Sequence, residues 1–102
     1  MLYQRSDTVY IKVQHKTYTF STDTWALADP DSGYPKITIY DKDDTIKVNA
    51  ASMTKKAVGK YEYSYQLASD AATTTPGDPW YGWIEVANST YTDRQYIAFD
   101  VE

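Results

Sequence analysis

The chain has 102 residues, the size of one domain built on one core. Its net charge of −4, with no basic cluster beyond Lys55, Lys56 and Lys60, argues against nucleic acid as a partner. The absence of cysteine excludes disulfides, cysteine–metal centres and thiol nucleophiles.

The 11 tyrosines, with many Thr, Val and Ile, suit a pleated surface better than a helix. Thr8–Gln14 alternates with period two and predicts a first strand with Val9, Ile11 and Val13 inward. His15-Lys16 makes a tight link to a second strand, Thr17–Ser21, in which Tyr18 and Phe20 share a face. Trp25 and Leu27 are expected to plug one end of the core, ahead of the turn cluster Asp29–Gly33. Lys36–Tyr40 and Thr45–Asn49 predict a hairpin with Ile37, Ile39, Ile46 and Val48 inward. Its acidic turn, Asp41–Asp44, tolerates left-handed backbone.

Ala50–Val58 reads as a crossing segment with Met53 inward, and its lysines read as a solvated turn. After Gly59, the segment Lys60–Leu67 puts Tyr61, Tyr63, Tyr65 and Leu67 on one core-facing side. Ala68–Pro79 is a long loop. Trp80–Asn88 then alternates Trp80, Gly82, Ile84 and Val86 against Tyr81 and Trp83. A turn over Ser89–Arg94 leads into Gln95–Val101, with Ile97, Phe99 and Val101 inward. About seven short strands and no helical stripe predict a single all-β domain over residues 1–102, a sandwich or barrel.

Catalytic signals are sparse. His15 is the one histidine, so a Ser-His-Asp triad would have to use it, and no G-x-S-x-G elbow is present. A solvated turn histidine is the preferred reading. Asp29 with Asp31, and Asp41 with Asp43 and Asp44, offer oxygen ligands for Ca²⁺. Neither cluster has the spacing of a twelve-residue Ca²⁺ loop, and Asp serves hairpin turns for its own reasons. Asn88-Ser89-Thr90 fits the glycosylation pattern but sits where a turn Asn is expected. Trp80, Tyr81, Trp83, Tyr91 and Tyr96 concentrate aromatic surface. Alternation turns Tyr81 and Trp83 away from Ile84 and Val86, so Tyr81, Trp83 and Tyr91 are the candidate contacts for a ligand or partner. Cross-strand aromatic packing is the competing reading. Nothing calls for a cofactor or a resident metal.

The stretch Tyr34–Leu67 carries a specific pattern: strand, Asp-containing turn, strand, Met53, then Gly59-Lys60-Tyr61-Glu62-Tyr63-Ser64-Tyr65. An Asp-rich loop and the Gly77-Asp78-Pro79-Trp80 strand entry follow it. This resembles the small immunoglobulin-like β-sandwich proteins of tailed phages, archaeal viruses and prophages. It is also similar to macroglobulin-like and bacterial surface immunoglobulin-like domains. The match covers about two thirds of the chain, and Asp44 stands where that pattern usually has Gly. The resemblance implies an antiparallel immunoglobulin-like sandwich of about seven strands. It also implies a non-enzymatic virion accessory protein that works through protein–protein assembly, possible self-association included. The alternative is a cell-surface adhesion or carbohydrate-binding module using exposed aromatics. No apolar run approaches the roughly 18 residues that span a membrane. Met1–Asp7 lacks the apolar stretch of a signal peptide, and the strand-like pattern soon after Met1 favours a natural start; the resemblance implies a place in the virion, or in the host cytoplasm during assembly.

Overall fold

A computed structural model describes residues 2–88 and 91–102, apart from the side chains of Tyr18, Thr19, Asn88 and Tyr91. The described residues form strands and connections, with no helix. The strands are β1 (Leu2–Tyr3), β2 (Thr8–Gln14), β3 (Lys16–Thr19), β4 (Thr24–Leu27), β5 (Lys36–Tyr40), β6 (Ile46–Ser52), β7 (Thr54–Ala57), β8 (Lys60–Gln66), β9 (Trp80–Asn88) and β10 (Tyr91–Val101). One sheet runs β1-β10-β9-β5-β6, antiparallel except that β1 lies parallel to β10. A second, antiparallel sheet runs β2-β8-β7, and β3 pairs with β4 alone. The chain changes sheets at Met53, between β6 and β7, as a crossing segment requires.

Period-two alternation builds the core. β2 contributes Val9 and Ile11, and β8 contributes Tyr61, followed by Leu67. Against them the larger sheet sets Ile37, Ile39, Val48, Trp80, Ile84, Phe99 and Val101, with Met53 buried at the crossing. Each such aliphatic side chain contributes about 1.5–3 kcal/mol on burial. Tyr63, Tyr65, Val13 and Ile97 are half-buried against this cluster. The loop from Ala68 to Pro79 is tied to the larger sheet: Thr74 N donates to Val101 O at 2.7 Å, and Trp80 Nε1 donates to Ala72 O at 2.8 Å.

Several expectations change. Trp25 does not plug the core: it is 68% exposed, and Phe20 is 88% exposed. Their hairpin, β3–β4, pairs only with itself, so neither apolar residue is drawn between the sheets. Ile46 is 52% exposed rather than inward. Two register shifts in the β5–β6 pairing cause this, because Val48 opposes buried Ile39 while Ile46 opposes the outward Tyr40. Ala50, at φ 49, takes the left-handed backbone such a bulge requires. Lys55 and Lys56 lie in β7, an exposed edge strand and not a turn, where lysines discourage edge-to-edge pairing. Tyr91–Arg94 belongs to β10, which is 11 residues long and pairs from Tyr91↔Asn88 onward.

Candidate contact surfaces

The outer face of the larger sheet carries an aromatic ladder. Tyr40 on β5 lies directly opposite Tyr81 on β9, and Trp83 lies opposite Tyr96 on β10. The Tyr40 and Tyr81 rings stack at 4.9 Å and 11°, which is close to the strand spacing itself. Tyr81 also stacks diagonally on Tyr96 at 6.2 Å and 24°, and Trp83 meets Tyr96 at 5.2 Å and 63°. The rings therefore stand side by side across the strands. Tyr81 has another ring against each of its faces, so what it offers is its hydroxyl. That hydroxyl donates to Asp44 Oδ1 at 2.6 Å, and this bond pushes the phenol up to about 12.

Trp83 is the candidate contact with ring surface left, at 36% exposure. It borders a depression of about 240 Å³ shared with Tyr34, Lys36, Glu85 and Arg94. Lys36 Nζ sits 4.9 Å over the Tyr34 ring, and Arg94 Nε lies 3.7 Å from Glu85 Oε2. Tyr91 heads β10, and its side chain lies outside the described residues, as does the Asn88-Ser89-Thr90 pattern. Tyr40 and Tyr96, not singled out as contacts, complete the ladder. Tyr40 joins it through the β5–β9 pairing, which sequence spacing does not reveal.

The acidic turns serve the backbone. Buried Asp41 accepts from Asp43 N at 2.8 Å and Thr45 N at 3.0 Å, and Asp44 takes φ 65 in the same turn. Among the described residues, no three carboxylate or imidazole groups gather to hold a metal.

A second surface lies at the end of the molecule where β2 gives way to the β3–β4 hairpin. A cleft of about 840 Å³ opens there between Val13, His15, Phe20 and Trp25 on one side and Ile84, Val86 and Asp93–Gln95 on the other. The root of the hairpin is firmly bonded. His15 N donates to Gly59 O at 2.7 Å, and Ala28 N donates to His15 O at 3.1 Å. Ala28 O can only accept, so the 2.8 Å contact places a proton on His15 Nδ1. His15 is thus half-buried and structural, not a solvated turn residue, and its Nδ1–H is not available to an orienting carboxylate as a triad requires. No family model, curated protein or solved structure matches the chain. Its own geometry is therefore the basis for reading these surfaces.

Asp29 closes the root. It accepts from Gly59 N at 3.0 Å, Tyr61 Oη at 3.0 Å and Lys55 Nζ at 2.6 Å. The bond from Lys55, then that from Gly59, holds its carboxyl down at about 2. Asp31 N adds a bond to Ala87 O at 2.9 Å, tying this loop to β9. No helix among the described residues is long and apolar enough to cross a membrane.

Proposed function

We propose that the chain is a non-enzymatic, immunoglobulin-like interaction module, encoded by a virus or prophage, that acts in particle assembly by presenting strand edges and loops to other proteins. The strand order supports the immunoglobulin-like part. With β2, β8 and β7 taken as strands B, E and D, and β10, β9, β5 and β6 as G, F, C and C′, the two sheets follow the variable-type arrangement.

The observation that carries the assembly reading is the edge of β10. On the side away from β9, β1 pairs only with Asp100 and Val101, and no described strand pairs with the rest of β10. A strand edge of that length presents backbone donors and acceptors to an added strand. Mass spectrometry of purified particles tests the reading: the chain is expected as a reproducible component, and its repeated absence sinks the proposal.

A second reading, a carbohydrate-binding adhesion module, draws on Trp83 with Lys36, Glu85 and Arg94 around it. It is narrower than the sequence suggests, because both Tyr81 faces are taken by rings. A glycan array with wild type and Trp83→Ala tests it. Equal binding by both removes the idea.

A further inference from the structure

We propose that the open edge of β10 pairs with the same edge of a second copy, antiparallel about a two-fold axis at Gln95, joining two five-stranded sheets into one. The proposal rests on the assembly reading for its purpose and names the partner of the edge that reading invokes.

The hydrogen bonds at the end of β10 show which of its residues face outward. Glu102 N donates to Tyr3 O of β1 at 2.9 Å, on the side away from β9. Val101 turns the other way, its N–H donating to Thr74 Oγ1 at 2.9 Å and its carbonyl accepting from Thr74 N at 2.7 Å. Successive residues of a strand aim their backbone groups at opposite edges. Thr92, Arg94, Tyr96 and Ala98 therefore present N–H and C=O along the open edge, and all four are exposed. Arg94 N rests on the adjacent Asp93 Oδ1 at 3.3 Å, a local contact that an incoming carbonyl replaces.

A second copy is the occupant because this edge is complementary to itself in one register. An axis at Gln95 sets Thr92 opposite Ala98 of the other copy and Arg94 opposite Tyr96, so every outward residue meets an outward residue. An axis at Asp93 or Arg94 would bring two like charges face to face. One at Tyr96 would run Thr92 against Asp100, whose edge β1 already holds.

The side chains fit the same register. On the outer face Lys36 lies opposite Glu85, and Glu85 opposite Arg94, with Arg94 Nε 3.7 Å from Glu85 Oε2. The junction extends this alternation, because the Arg94 guanidinium comes beside the Tyr96 ring of the second copy, which Trp83 edges at 5.2 Å. On the inner face Asp93 and Gln95 are exposed beside the cleft, so the pairing leaves Asp93 in water. A two-fold contact of this kind closes on itself and stops at a dimer.

The chain has no cysteine, so single cysteines report the register directly. Gln95→Cys places two thiols across the axis at a pair with Cα atoms about 4.5 Å apart, within disulfide range. It should cross-link rapidly under mild oxidation. Thr92→Cys or Ala98→Cys alone should cross-link slowly, and a mixture of the two should give the mixed dimer in clear excess. Sedimentation of the wild type at about 0.1 mM should show a dimer, a concentration that saturates a micromolar complex. Ala98→Pro removes an outward N–H and no bond to β9, so it should be monomeric while still unfolding cooperatively in urea.

A monomeric wild type overturns the pairing and leaves the edge to an unlike chain. Gln95→Cys cross-linking no faster than Thr92→Cys also overturns it, as does a folded Ala98→Pro that remains dimeric. The cysteine variants decide the matter even where Ala98→Pro does not fold. None of these results touches the chain's presence in particles, so the pairing and the assembly reading can fail separately.

Discussion

Replacing Gly59 with Ala tests whether the hairpin root is a close backbone contact. Gly59 has φ +69, and a Cβ there would stand 2.6 Å from His15 O and 2.8 Å from Ala28 N. Both neighbours are backbone atoms held by hydrogen bonds, so neither can swing aside as a side chain would. Two costs arise. Left-handed backbone at a non-glycine residue costs about 1–2 kcal/mol. Forcing apart a packed contact adds about 1–3 kcal/mol. Gly77 supplies the control, because it has φ +84 but nothing within 4 Å of its would-be Cβ. Gly77→Ala should therefore lose only the conformational part, about 1–2 kcal/mol, and Gly59→Ala about 2–5 kcal/mol. Urea unfolding of both variants, with slopes compared as well as midpoints, separates the two costs. A loss at Gly59 no larger than that at Gly77 would refute the close approach of His15 and Ala28.

Other outcomes follow from the same geometry. Trp80→Phe should cost about 2–4 kcal/mol, because it orphans Ala72 O and thins the packing between Tyr65 and Phe99; a loss below about 1 kcal/mol in urea unfolding means the long loop is held by other contacts. A double-mutant cycle on Trp83 and Tyr96 should return a coupling of about 0.5–1.5 kcal/mol, and none if the edge contact is absent in solution. Asp29 has its carboxyl depressed from 3.8 to about 2, so its stabilisation is present above 3.8 and lost as pH falls through about 2. The urea midpoint of wild type should therefore converge on that of Asp29→Asn across that window, and a constant gap contradicts the assignment. Spectrophotometric titration should find the Tyr81 phenol near 12 in wild type and closer to 10.0 in Asp44→Ala.

The strands that alternate cleanly were legible in the sequence, because a half-buried strand writes its burial into every second residue. Thr8–Gln14, Lys36–Tyr40 and Trp80–Asn88 form over the residues expected. The strands that escaped lack that signal. β1 has two residues, and β7, Thr54–Ala57, is exposed at every position. Alternation also assumes an unbroken register. The β5–β6 shifts break it, and Ile46 faces water although Val48, two residues on, faces the core. Hydrophobicity alone placed Trp25 in the core. It could not reveal that β4 pairs only with β3, because pairing partners are set by the whole fold.

The contact surfaces follow the same division. Alternation correctly turned Tyr81 and Trp83 to the outer face, since neighbours along one strand must point to opposite sides. What those rings can do depends on the strands beside β9, and that order is not written locally. Once β5 and β10 flank β9, Tyr40 and Tyr96 arrive at the lateral spacing of the sheet, which is also the spacing of stacked rings. The ladder then closes on itself. Tyr81 gives up its faces to its neighbours, and Trp83, at the ladder's end beside Lys36 and Arg94, keeps surface for another molecule. Phe20 and Trp25, the two most exposed large rings among the described residues, stand instead on a hairpin whose strands pair only with each other, and both line the cleft beside it. Aromatic content that first suggested a flat ligand platform is therefore divided, once strand order is known, between a ladder that covers its own ring faces and an exposed hairpin.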